Sequence, residues 1–280
     1  MDSKPGYLAD FPKVNLCLAL AAIGLVYSTI VPGMVEDWYN DPNYSHGFLV
    51  PLISVYFLSE NWGALKVTPL RPSNLGLPVI IGSLLLLMLG YIGTEYFTMR
   101  SSLVFLLAGI VLYWLGWAVL RLTSLPIAFL IFMVPLPYIV YDSLAFPLKL
   151  LVTKASVGVL KILTIPVVSE GNIIMFPQTV LEVADACSGL RSLMSLVTLA
   201  VALAFMTQKT SLKRTILIVS AVPVAIVTNM FRVITTGVLA NRYGAAAAEG
   251  FFHEFAGLAV FALAMVILFV EGAILKKVGR

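Results

Sequence analysis

The 280-residue chain is poor in the residues that most soluble proteins depend on. Charged residues are 11% of it, against 60% hydrophobic, where a soluble globular domain carries about 25% charged. That shortage excludes a water-soluble globule and leaves a polytopic membrane protein. There are two cysteines, Cys17 and Cys187. They form no disulfide framework, and they fall at or near opposite ends of the expected membrane region. Two histidines, His46 and His253, are all the imidazole the chain has. No nucleotide-binding motif and no internal repeat is present. His253-Glu254 begins a zinc-protease pattern, but position 257 is glycine where that pattern needs a second histidine. No metal and no cofactor is therefore expected. A rhomboid-like serine protease is excluded by the lack of a Gly-x-Ser-Gly.

What is present is a series of long apolar runs. A bilayer core takes about 20 apolar residues per helix. Eight candidate spans fit, near 14–31, 44–60, 75–94, 101–120, 122–141, 190–207, 215–240 and 251–270. The expected fold is an all-α polytopic membrane protein of about eight transmembrane helices, forming a single membrane domain over 1–280. Within it, 142–189 is expected to be an extracytoplasmic or interfacial insertion. Lys149, Lys154 and Lys161 punctuate its apolar stretch, which suits a helix in the interface with snorkelling lysines. The alternative makes 143–168 a ninth span and inverts everything downstream. Asn172–Phe176 and Thr179–Val183 predict a short β-hairpin that leads to Cys187. Pro126, Pro135, Pro137 and Pro147 are expected to break or kink helices.

The formal net charge of +4 does not point to nucleic acid, because the basic residues sit in short loops where they set topology. Lys4 and Lys13, Lys66 and Arg71, Arg121, then Lys209, Lys213 and Arg214, and finally Lys276, Lys277 and Arg280 fall on one side. Loop 32–43 on the other side holds Glu36, Asp37 and Asp41 and no Lys or Arg, and loop 91–100 sets Glu95 against Arg100. Both termini are thus expected in the cytoplasm, with the first run acting as a signal anchor.

Three ionisable side chains then converge on the outer face. Cys187 lies in Ala184-Asp185-Ala186-Cys187-Ser188-Gly189-Leu190-Arg191-Ser192, at the mouth of the sixth span. A helix N-terminus lowers a thiol's pKa, and its free amides can hold an oxyanion. Arg191 follows one turn later. Arg232 lies inside span seven, where a guanidinium is costly and functional by default; Asn229 sits one turn before it. His253 opens span eight and could be base to a thiol or acid to a leaving amine. The bland alternatives are an inert buried thiol, a structural ion pair and an interfacial histidine. A thiol, a guanidinium and an imidazole at one membrane face are the parts of a cysteine acyl-transfer site. The competing class is a transporter or channel using Arg232 and His253 for anions or protons. It would want half-helices or paired repeats, and it leaves the Cys187 block unexplained.

At these residues the chain resembles the exosortase/archaeosortase family. Ala186–Ser192, then Asn229-Met230-Phe231-Arg232, then His253 with Gly257 are similar to its three signature blocks. Tyr44-Ser45-His46-Gly47-Phe48-Leu49-Val50-Pro51 and Phe132-Met133-Val134-Pro135-Leu136-Pro137 resemble the bacterial exosortases. The resemblance implies a cysteine transpeptidase of the bacterial inner membrane, with its site on the extracytoplasmic face. Its implied substrates are exported proteins ending in a short motif such as Pro-Glu-Pro, a membrane helix and a basic tail. They are cleaved and passed to an acceptor, often in bacteria making exopolysaccharide. It makes Cys187, Arg232 and His253 catalytic. Asp185, Ser188, Arg191, Asn229 and His46 are accessory or substrate-binding candidates.

Overall fold

A computed structural model describes residues 7–8, 11–177, 180–183, 190–244 and 251–278; in 190–192 and 251–255 the backbone alone is described. The chain divides into two compact units, Met1–Pro137 and Tyr138–Arg280.

The first unit is helical. A bent pair opens it: α1 (Lys13–Val26) and α2 (Ile30–Asn40) meet at 64°. Tyr27 marks the bend, fully buried with its hydroxyl 2.7 Å from that of Ser102. Pro32 falls in the first turn of α2, where a missing N–H leaves no helix bond unmade. A 3₁₀ turn at Ser45–Phe48 leads into α3 (Leu49–Glu60) and the short α4 (Trp62–Val67). Helices α5 (Gly76–Ile92) and α6 (Tyr96–Leu115) form an antiparallel hairpin. Small residues let their backbones close up: a Cβ on Gly90 would sit 2.8 Å from the Met99 nitrogen, and one on Gly109 3.0 Å from that of Ile80. This is how membrane helices associate where no hydrophobic effect drives them together. Helix α7 (Trp117–Phe129) runs into a 3₁₀ turn at Leu130–Met133.

The second unit begins with α8 (Tyr138–Ile162) and a three-stranded antiparallel sheet, β1 (Val168–Glu170), β2 (Ile173–Met175) and β3 (Val180–Glu182), in that order. Gly171 at φ +59° makes the tight turn between β1 and β2. Then come α9 (Leu190–Thr207), α10 (Ser211–Tyr243) and α11 (Phe251–Lys277). One core cluster joins Val152, Val157 and Leu160 of α8 to Ile174 of β2, Val183 just after β3 and Val233 of α10. Another joins Leu196 and Ala200 of α9, Leu217 and Ala221 of α10, and Ala264 and Leu268 of α11.

Several expectations need correction. The fold is mostly helical with one small sheet, as expected, but the structure does not bear out the count of eight spanning helices. Among the described residues four helices have the length and apolarity to cross, or five with the bent pair. The division between the fourth and fifth runs falls at Gly116, not at Arg121. Gly116 takes φ +87°, a conformation that ends α6 and that glycine alone adopts freely. The acidic loop expected at 32–43 is largely helix α2, because Met34 and Trp38, one turn apart, bury themselves on one face. The hairpin before Cys187 gains a third strand, β1. α8 is unbroken over 25 residues, and its length and apolarity also suit the alternative of a ninth span. Of the expected break or kink, Pro126 and Pro147 make no break, since both lie inside helices. Pro126 cannot bond the Leu122 carbonyl one turn back, and the Asn61 amide donates to that oxygen instead, at 3.2 Å.

Candidate active site

Arg232 is held in the middle of the second unit. Its helix, α10, is 33 residues long, about 50 Å at 1.5 Å per residue. The helix runs on to Tyr243, so Arg232 lies eleven residues from its C-terminal end, three more than from the expected span end at Ala240. Apolar residues dominate α10, yet one face carries Asn229, Arg232 and Thr236, spaced three and four apart, with Thr228 beside them. All four are buried, and Arg232 is 8% exposed. Thr228 satisfies its hydroxyl on its own helix, donating to the Val224 carbonyl at 2.8 Å. The sequence pointed to Arg232 and Asn229. It did not single out Thr228 and Thr236, which share the stripe and could have been found by helical spacing alone.

The guanidinium lies against the backbone of α11. A Cβ on Gly257 would be 3.3 Å from Nη2, 3.4 Å from Cζ and 3.5 Å from Nη1 of Arg232. A side chain there would crowd Nη2, which would have to give by a few tenths of an ångström. Residue 253 is four positions earlier in the same helix, and residues four apart share a helix face. The His253 side chain lies outside the described residues.

The chain reaches this region through the sheet. Val183 is 1% exposed and ends the described part of that segment. Its N–H donates to the Asn172 carbonyl at 2.8 Å, and its carbonyl accepts from the Asn172 side-chain amide at 3.3 Å. It shares an apolar cluster with Val233, the residue after Arg232. Gly237, one turn further, meets Leu160 and Phe176. Beyond the sheet, Leu190 is the first residue of α9. Asp185, Cys187 and Ser188 lie outside the described residues, as does the side chain of Arg191 in the first turn of α9.

His46 belongs to the first unit. It is buried, with Nε2 3.2 Å from the Phe132 carbonyl oxygen. The Trp38 indole donates to the Met133 carbonyl at 2.8 Å and the Tyr44 hydroxyl to the Leu136 carbonyl at 3.2 Å. The two N-terminal motifs, 44–51 and 132–137, are thus bound to each other. Gly47 is required there, since a Cβ would collide with the Trp38 ring.

A buried guanidinium packed on a helix backbone is a cation in a low-dielectric setting. Such a group stabilises an anion, whether thiolate or tetrahedral oxyanion, without reorganising.

A search of curated proteins and of solved structures gives no match to the chain. A family model described as transmembrane exosortase (Exosortase_EpsH) matches residues 38–270, a stretch that takes in His46, Cys187, Arg232 and His253. The match covers most of the chain, and the protein belongs to the transmembrane exosortase family.

Proposed function

We propose that this membrane protein is a cysteine transpeptidase that cleaves C-terminal sorting signals of exported proteins and transfers them to an acceptor, with Cys187, Arg232 and His253 as its chemical groups. The observation that carries the proposal is the Arg232 guanidinium, buried in α10 and packed on Gly257 one turn from position 253. The placement of Val183 supports it. Cys187 is four positions after Val183, and four extended residues reach at most about 14 Å. Val183 shares its cluster with the neighbour of Arg232.

In this mechanism the Cys187 thiolate attacks the scissile carbonyl carbon and forms a carbon–sulfur bond. The carbonyl π electrons move to oxygen, and Arg232 donates hydrogen bonds to the resulting oxyanion. The intermediate collapses to a thioester as the carbon–nitrogen bond breaks. His253 as imidazolium gives its proton to the departing amine, which leaves with the substrate's membrane helix and basic tail. Neutral His253 then takes a proton from the acceptor nucleophile. That nucleophile attacks the thioester and regenerates the thiolate. Asn229 and Arg191 are proposed to orient the site. Asp185 and Ser188 flank the nucleophile, and His46 acts as an accessory group. The site is proposed to face the extracytoplasmic side of a bacterial inner membrane, and the products to serve cell-surface or exopolysaccharide assembly.

The test is co-expression with a reporter ending in Pro-Glu-Pro, one apolar span and a basic tail. Wild type shortens the reporter on a gel, and mass spectrometry gives the new terminus. Cys187→Ala leaves it full length. Normal cleavage by that variant would end the enzyme proposal.

A further inference from the structure

A second polar site lies wholly within the first unit, apart from the groups above. Where α1 bends into α2, and where α5 turns into α6, a cleft of about 420 Å³ opens. That is within the usual range of ligand pockets. Thr29, Gly33, Tyr91, Thr94, Tyr96 and Arg100 are among its lining residues. Arg100 is 6% exposed. Its Nη1 pairs with an Asp37 carboxylate oxygen at 2.6 Å, and its guanidinium stacks over the Tyr96 ring at 5.3 Å. Its Nη2 is 4.0 Å from where a Cβ on Gly33 would sit, so the cleft floor carries guanidinium donors beside an empty glycine face. Thr94, in its wall, holds φ +50°. That conformation is strained for a β-branched residue, and such strain collects at ligand clamps.

The surroundings decide what fits. A guanidinium between membrane helices favours a phosphate. Yet Asp37 already compensates this one, and residues 30–41 add Glu36 and Asp41 without any Lys or Arg. Glu95 caps α6 at the same end of the helix hairpin. A purely anionic ligand would bring its charge into a carboxylate-rich rim. A ligand carrying phosphate and a primary ammonium meets both signs, with phosphate toward Arg100 and ammonium toward Asp37, which is 44% exposed. The rim is amphiphilic. Tyr91 and Tyr96 are exposed, as are Leu85, Met88, Leu89 and Ile92 of α5. Tyrosines of this kind mark the membrane–water interface. An acyl chain would lie along that apolar strip with its headgroup in the cleft.

We infer that the Arg100–Asp37 cleft binds a phosphoethanolamine group, the headgroup of a zwitterionic membrane lipid. The test uses the full chain purified in detergent and native mass spectrometry with added lipids of one acyl composition. Phosphatidylethanolamine should bind saturably at one equivalent, at least tenfold tighter than phosphatidylglycerol or phosphatidylcholine. Phosphatidylglycerol lacks the cation, and the trimethylated choline head cannot donate to Asp37. Free O-phosphoethanolamine as competitor separates the sources. Displacement only at large excess makes the lipid the ligand; displacement at equal concentration makes it the soluble headgroup, with the same site chemistry. Gly33→Leu puts a side chain into the cleft, its first atom 4.0 Å from Arg100 Nη2, and should weaken binding at least tenfold in protein that stays monodisperse. Equal or tighter phosphatidylglycerol binding by wild type would overturn the inference without any variant. So would unchanged binding by folded Gly33→Leu, or displacement of the lipid by an acidic peptide, which would make the cleft a peptide site.

Discussion

Gly257 offers a perturbation whose effects on stability and catalysis have opposite signs. The Cβ of Gly257→Ala would lie 3.3–3.5 Å from three guanidinium atoms of Arg232. The shortest of these, to Nη2, makes one partner give by a few tenths of an ångström, while the other two are ordinary van der Waals distances. Misplacing a reacting group by about 1 Å can cost about 100-fold. On a logarithmic scale a shift of roughly 0.3 Å then costs about fourfold. Gly257→Val extends the intrusion by another carbon–carbon bond and should cost about 100-fold or more on the same scale. Stability should move the other way for alanine, since glycine inside a helix is about 0.5–1 kcal/mol worse than alanine. The assay pairs reporter cleavage with thermal melting of detergent-purified protein. Gly257→Ala should melt no lower than wild type, with a reduced kcat and an unchanged KM. Combined with Arg232→Lys it should add almost no further loss, because both changes disable one group. If Gly257→Val cleaves at the wild-type rate, the guanidinium does not act where it sits. If alanine lowers melting temperature and rate together, Gly257 has only a packing role.

Three further outcomes are expected. Cys187→Ser should be nearly inactive on the gel assay, since a hydroxyl ionises far less than a thiol, and Arg232→Lys should fail because lysine lacks the planar fork of donors. Lys209→Cys, in a background with Cys17→Ser and Cys187→Ser, should be labelled by a membrane-impermeant reagent only after cell lysis; labelling in intact cells would mean that α8 crosses the membrane and inverts the orientation of α9, α10 and α11. Glu95→Ala should cost about 1 kcal/mol through loss of a helix cap, since that carboxylate accepts from the Phe97 and Thr98 amides at 3.1 and 2.6 Å. Burial pushes the Glu95 carboxyl up, but its hydrogen bonds from Thr98 and Phe97 win and hold it below the ordinary range; its contribution is therefore present above about pH 4.3 and lost as pH falls through the lowered value, so melting curves of wild type and variant should converge in acid.

The sequence made some features plain because they rest on composition over many residues. Apolar runs of about 20 residues located helices, and the short apolar run Ile173–Phe176 ahead of the Pro177-Gln178 turn located β2. Arg232 stood out because a guanidinium in an apolar helix has few innocent explanations. Features that depend on one residue's conformation or on a distant partner were hidden. Gly116 looks like any glycine in an apolar run until its φ of +87° is known. Strand β1 has only Val168, Ser169 and Glu170 and is defined by pairing with β2.

Charge was the most misleading signal where it was used only for counting. Asp37 and Arg100 entered the topology argument as loop charges. The fold instead starts α6 at Tyr96, which carries Arg100 one turn inside, and turns 30–40 into a helix that brings Asp37 to it at 2.6 Å. The rule that places basic residues on one membrane face weighs each charge in water. It cannot see that a carboxylate and a guanidinium far apart in the chain neutralise each other. The same blindness applies to Arg232 and Gly257. Either residue alone admits a bland explanation, a snorkelling cation or a helix glycine. Their contact joins the two, because a guanidinium held against the backbone of α11 does not snorkel, and a Cβ on Gly257 would press on it at 3.3 Å.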